Sequence, residues 1–250
     1  MKKVLIVGDS HVFRLIEARN NYQASQYEFD FVVGIGQVTN MFVIKGDYLK
    51  LKQPTNKIPM VAQMQAKKFQ LWYEQCLEQI NNIEKLSDYD AIIIFACGLV
   101  DGTWYKFDSK SMYSSQFMAD FLLEMITKKT HYKLINELNK SVTKSKLFSI
   151  PTPLVNELIY SPENRKILQE VSDRTRLPNS SFKALLPLYK TILKSIGSEL
   201  IPLPDRLYND EYNATASSFK ISSRDDFGHL NSKGAEIVFS AINEALNAHF

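Results

Sequence analysis

The chain has 250 residues, 45% of them hydrophobic and 23% charged, with 30 Lys and Arg against 27 Asp and Glu for a formal net charge of +3. That length fits one α/β domain with a sizeable core, and the composition excludes a disordered chain, a collagen-like repeat and a coiled coil. So small a positive charge, with no long Lys/Arg cluster, gives no electrostatic footprint for nucleic acid.

In chain order, an apolar run over 3–7 predicts a first strand, and 12–18 a helix behind it. A second strand follows at 27–33. The connection over 42–73 is longer than a crossover needs, and its front part, 46–59, has no clear periodicity. Residues 61–83 return to helical spacing, rich in Gln, Lys, Glu and Ala. A third strand is predicted at 91–96, and a second long connection, 102–145, carries helices over 115–126 and 132–138. Strands at 146–150 and 200–203 and helices at 162–171, 182–196 and 232–249 complete the chain. Three strands are continuous apolar runs: Val4-Leu5-Ile6-Val7, Ala91-Ile92-Ile93-Ile94-Phe95 and Leu147-Phe148-Ser149-Ile150. Strands buried on both faces have that pattern and belong to parallel sheets covered by helices. The fold expected is one α/β domain over 1–250, a three-layer α/β/α sandwich of about five parallel strands. The two long connections leave strand ends, where loops shape access to a site.

Two cysteines, Cys76 and Cys97, are too few for a disulfide framework or a thiolate metal site, and Cys97 reads as a small buried residue. No run approaches the roughly 18 apolar residues of a membrane span. Lys2 and Lys3 precede only four apolar residues before Gly8-Asp9-Ser10, which is not a signal-peptide pattern. The expectation is a soluble cytoplasmic protein without metal or cofactor. Gly34-Ile35-Gly36 begins like a dinucleotide fingerprint but lacks its third glycine.

The first stretch that carries chemistry is Val4-Leu5-Ile6-Val7-Gly8-Asp9-Ser10-His11. Gly8 permits a tight strand-to-helix turn. Ser10 then sits near a helix N-terminus, where unpaired N–H groups favour developing negative charge. A serine there can attack an acyl carbon while its own N–H helps hold the oxyanion. Asp9 or Ser10 as a plain N-cap is the competing reading. The second stretch is Arg224-Asp225-Asp226-Phe227-Gly228-His229-Leu230-Asn231. Asp226 lies three residues before His229, a spacing at which its carboxylate can bond Nδ1 and leave Nε2 to take a proton from a serine. Of the four histidines, only His229 has a carboxylate so placed; His11 adjoins the serine as a capping or pocket-lining residue.

Gly8-Asp9-Ser10-His11 after the first strand, with Asp226-Phe227-Gly228-His229-Leu230-Asn231 before the last helix, resembles the GDSL/SGNH hydrolase superfamily. The matching blocks cover about 40 residues. The resemblance implies a flavodoxin-like sandwich, Ser10 as nucleophile, His229 as base and Asp226 orienting it, with no metal or cofactor. Val33-Gly34-Ile35-Gly36-Gln37 is similar to the family's glycine block, with Gly36 the better match and Gly34 the alternative. Gly98-Leu99-Val100-Asp101-Gly102 is similar to its third block. Ser10 and Gly36 N–H groups would then form the oxyanion hole, and Asp9, His11, Asp101 and Trp104 would line the substrate. Trp104 opens an aromatic cluster, Trp104-Tyr105-Lys106-Phe107, which reads equally as an anchor of the connection.

One position departs from the family. Its third block carries an asparagine that completes the oxyanion hole, and Val100 stands there. Losing such a donor typically costs about 10²–10³ in rate. Three readings stay open: Gln37 or Asn40 supplies the amide, the block is offset, or the chain keeps the pocket without efficient hydrolysis. The implied function is a serine-dependent esterase acting on an O-acyl ester, such as an acetyl group on a carbohydrate. The alternatives are an O-acyltransferase on the same triad and a non-catalytic binder of a glycan or partner.

Overall fold

The computed structural model describes residues 1–21, 26–53, 63–95, 115–128, 130–153, 181–209, 214–221 and 229–250. Strand β1 is Lys2–Gly8, β2 Tyr27–Val33, β3 Phe42–Lys45, β4 Tyr48–Leu51, β5 Ala91–Phe95, β6 Lys146–Ile150, β7 Ser198–Leu200, β8 Tyr208–Asn209 and β9 Ala214–Thr215. The helices are α1 Val12–Asn21, α2 Gln63–Asn82, α3 Ser115–Thr127, α4 Thr130–Ser141, α5 Ser181–Ser195 and α6 Ser232–Asn247. The central sheet has the order β2-β1-β5-β6-β7, with every pair parallel. This is the flavodoxin strand order, and the α/β sandwich read from the apolar runs is the observed architecture.

Why the runs are continuous is visible in how they alternate. Leu5, Val7, Ile92, Ile94 and Leu147 point to one face, under α2, α4 and α5. Val4, Ile6, Ile93, Phe95, Phe148 and Ile150 point to the other, under α1 and α6. Each face needs its own apolar residues, so no polar alternation survives. Ser149 interrupts the run in β6, but its hydroxyl bonds that of Ser198 on β7 at 2.8 Å, so the buried polar group is satisfied. Cys76 is buried on α2, and burial pushes its thiol up to about 12.

Two elements differ from expectation. The fifth strand covers Ser198–Leu200 rather than 200–203. Ile201 still donates its N–H to the Ser149 carbonyl at 2.9 Å and Leu203 lies past the last pairing; both are buried core residues, which is why apolarity alone pointed too far along the chain. The front of the 42–73 connection is not aperiodic: β3 and β4 form an antiparallel hairpin there. Its turn is Gly46-Asp47, with Gly46 at φ +59°. Phe42, Leu49 and Leu51 turn inward onto the α2/α4 layer. The same connection ends inside α2, the crossover helix leading to β5. The helix expected over 162–171 lies outside the described residues. No described helix is long and apolar enough to cross a membrane.

Candidate active site

The sheet order reverses direction at β1. From β1 the chain leaves to β2 on one side, then crosses back to β5 on the other. In sheets of this order, ligands bind outside the carboxyl ends of the strands that flank the reversal. Ser10 lies in the turn that follows β1 directly.

Gly8 makes that turn possible by close approach. A Cβ at this position would lie 2.1 Å from the Phe95 carbonyl oxygen and 2.7 Å from Val12 Cγ2. After Gly8 the chain tightens into helical turns: the N–H of Val12 donates to the Asp9 carbonyl at 3.0 Å, and that of Phe13 to the Ser10 carbonyl at 3.3 Å. Asp9 caps this turn. Its Oδ1 accepts from the backbone N–H of His11 at 2.9 Å and lies 2.8 Å from His11 Nδ1. Ser10 thus sits in the opening turn of α1, where backbone N–H groups lack helical acceptors.

His229 reaches the same place from the far end of the sequence. Ser10 Oγ and His229 Nε2 are 2.7 Å apart, a direct hydrogen bond between residues 219 positions apart. The segment bearing His229 is held by a short paired stem. Lys220 and Leu230 form an antiparallel bridge, and the N–H of Ile221 donates to the His229 carbonyl at 3.2 Å. Asn231 then ties the stem to α6. Its Oδ1 accepts from the N–H of Gly234 at 3.0 Å, capping the helix. Its Nδ2 donates to the carbonyls of Ser218 at 2.8 Å and Lys220 at 3.2 Å. One amide side chain therefore fixes both the helix start and the stem that delivers His229.

Replacing Asn231 by alanine should lower stability by about 1 kcal/mol from the cap alone. For a chain of this size that is about 2–4 °C in unfolding temperature, with a further loss from the freed stem. Asn231→Asp keeps the capping oxygen but sets a carboxylate against two carbonyls, so it should not restore the stem. Thermal unfolding of the two variants tests this, and a Tm unchanged in Asn231→Ala would contradict it.

The glycine block resolves in one respect. The N–H of Gly34 donates to the Gly8 carbonyl at 2.8 Å, so this amide is engaged in joining β1 to β2. Gly36 opens a 3₁₀ turn over Gly36–Met41, where the first N–H groups have no acceptor within the turn. Asn40 is exposed on that turn, and Val38 is buried beneath it. Asp226, Val100, Asp101, Trp104, Arg224 and Cys97 all lie outside the described residues. The structure brings together Ser10, His11, Asp9 and His229, with the Gly36 turn following β2 at the neighbouring strand end.

Two features had no clear sign in the sequence. Lys220 is almost fully buried, 2% exposed, in the stem beside His229. The alternation Phe219-Lys220-Ile221 hints at a strand-like piece, but nothing marks its lysine as an inward one. The second is the ring contact between His11 and His229, whose centroids are 4.7 Å apart with planes inclined at 38°. Among the described residues no group of three or more His, Cys, Asp or Glu side chains could hold a metal ion.

Comparison with known proteins bears on the fold. No family model matches the chain. A Rickettsia felis protein named uroporphyrinogen decarboxylase is 24% identical over 193 residues, 70% of this chain and 51% of that protein. The chain thus spans about half the length of the curated relative it matches. Among solved structures, a Streptococcus pneumonia protein proposed to be a platelet activating factor superposes with a TM-score of 0.51. It is 12% identical, with 98% of this chain and 84% of that one covered. The periplasmic domain of a Salmonella ser. Paratyphi A lipopolysaccharide acetyltransferase gives 0.48, at 15% identity over 99% and 84%. A carbohydrate acetylesterase family member from Sinorhizobium meliloti gives 0.47, at 11% identity over 99% and 98%. At such identities the likeness is one of fold, and the first of these structures shares the three-layer α/β architecture built up above.

Proposed function

We propose that this chain is a serine-dependent esterase of the GDSL/SGNH type, acting on an O-acyl ester. The observation that carries the reading is the 2.7 Å contact between Ser10 Oγ and His229 Nε2 at the carboxyl edge of β1. A hydroxyl and an imidazole at that separation are a nucleophile and its base within direct proton-transfer reach. Their position at the strand-order reversal is where α/β sheets of this kind bind ligands. The blocks around Ser10, Gly36 and His229 fall in the order and strand contexts of that superfamily.

In this mechanism Ser10 Oγ attacks the ester carbonyl carbon as its proton passes to Nε2 of His229. The carbonyl π pair moves onto oxygen, and the N–H groups of Ser10 and Gly36 stabilise that charge. Collapse of the tetrahedral species breaks the bond to the alcohol, which departs with the proton from His229. Water then attacks the acyl-serine by the same route in reverse, releasing the acid and regenerating Ser10. Asp226 orients the imidazole by accepting from Nδ1–H, and Gln37 or Asn40 supplies the donor that Val100 lacks. Acetyl esters of carbohydrates are the substrate class this reading puts first.

The test is intact mass after treatment with a fluorophosphonate. A single adduct on the wild type that disappears in Ser10→Ala is the expected result. Wild-type protein that stays unmodified at high reagent concentration would overturn the reading.

A further inference from the structure

The mechanism above leaves two ionisable side chains beside the reacting pair without work. Asp9 and His11 flank Ser10, and both are drawn inward. His11 is only 9% exposed. Its Nδ1 and its backbone N–H both meet the same Asp9 oxygen, at 2.8 and 2.9 Å. An ionised carboxylate only accepts, so Nδ1 of His11 carries a hydrogen. The His11 ring is fixed further by an edge contact to Phe95, with centroids 6.4 Å apart and planes at 78°. On its other side it lies against the ring of His229.

We propose that Asp9 and His11 form a positioning pair for His229. The His11 ring is the wall against which the His229 imidazole is oriented, and the Asp9 carboxylate behind it favours the imidazolium that His229 becomes. The inference rests on His229 being the base for Ser10. Its chemistry is that of a carboxylate–imidazole couple placed beside the base rather than bonded to it. When the Ser10 proton moves to His229 Nε2, positive charge appears in a ring that lies against His11 with its plane inclined at 38°. With His11 in its neutral form and Asp9 ionised, the couple meets that charge as a net negative partner. The tie also keeps the His11 ring from turning away, which the packing of His229 requires.

Among the described residues, charged groups on the elements around His229 include Lys220 on the stem, Lys233 and Glu236 in the first turns of α6, and Arg14 on α1; the proposed mechanism adds Asp226, the acceptor for its Nδ1–H. Arg14 pairs with Glu17 at 2.7 Å. All are retained in the variants below, so differences between variants report on Asp9 and His11 alone.

The first arm of the test needs no turnover. NMR titration of the His229 ring is compared between wild type and Asp9→Asn, a substitution that keeps an acceptor oxygen but removes the charge. The midpoint of His229 should fall in Asp9→Asn, because a nearby negative charge that favours the imidazolium is removed. A midpoint that stays in place overturns the electrostatic half of the proposal. The second arm reads the rate of fluorophosphonate labelling at Ser10. His11→Ala should slow it about tenfold, and His11→Phe, which restores a flat ring against His229, should recover most of that loss. A phenylalanine variant as slow as the alanine one overturns the positioning half. A shifted His229 midpoint without labelling of wild-type Ser10 would sink the esterase reading and leave the coupling of Asp9 to His229 standing.

Discussion

Ser10→Ala and His229→Ala should each lower ester turnover by about 10⁴-fold or more, and the double variant should fall no further. The two side chains touch at 2.7 Å, and in the proposed mechanism they act in one step, so removing either removes that step. Residual catalysis from backbone N–H groups and substrate binding sets the common floor. If the losses instead multiply in the double variant, the residues act independently and the nucleophile–base assignment is wrong. Neither substitution removes core volume, since Ser10 is a half-buried turn residue and the His229 stem is held by backbone bonds and Asn231. Unfolding temperatures near that of the wild type would assign the loss to chemistry. Steady-state kinetics on a chromogenic acetyl ester, beside thermal unfolding, measures both.

Among the described glycines whose added Cβ would run into backbone, Gly8→Ala should be the most damaging. The added carbon would sit 2.1 Å from a backbone oxygen of β5, and β5 cannot retreat because it is paired on its other edge with β6. Relief requires parting β1 from β5 at the strand ends that carry the site. A cost on the order of 3 kcal/mol is expected, from the overpacking and broken ladder together. At about 2–4 °C per kcal/mol, unfolding should drop by roughly 10 °C. Gly46→Ala is the contrasting case. Nothing lies within 4 Å of a Cβ there, but φ is +59°, so only a conformational cost of about 1 kcal/mol applies. If the two variants unfold at the same temperature, close approach at Gly8 is not what fixes the turn.

Much of this architecture is legible in the sequence because burial on both faces leaves a plain mark. β1 and β5 carry unbroken apolar runs, β6 one interrupted only by Ser149, and their bounds differ from the expected ones by a residue or two. β7 is less legible. Its own residues are Ser198, Glu199 and Leu200, and a buried serine that finds its partner on β6 looks like a loop residue until the pairing is known. The hairpin at 42–51 did carry a signal, Gly46-Asp47 between two short apolar segments, but short strands outside the main sheet have little periodicity to display. For the site, Ser10 and His229 were readable because each follows a recognisable boundary, a strand end and a helix cap. The ring contact of His11 with His229 was not, since no spacing rule relates residues 11 and 229. Lys220 was hidden for the same reason: its burial comes from the stem it shares with Leu230.

The separation of Ser10 from His229 has a consequence during synthesis. A ribosome adding about 5–20 residues per second makes the serine roughly 10–40 s before the histidine. Through that interval the emerging polypeptide carries a hydroxyl with no base. The base is added only when the stem around Lys220 and Leu230 closes and α6 docks beside α1. A nascent or prematurely stopped chain therefore lacks the Ser10–His229 pair, and under the proposed mechanism ester cleavage would begin only once folding is complete.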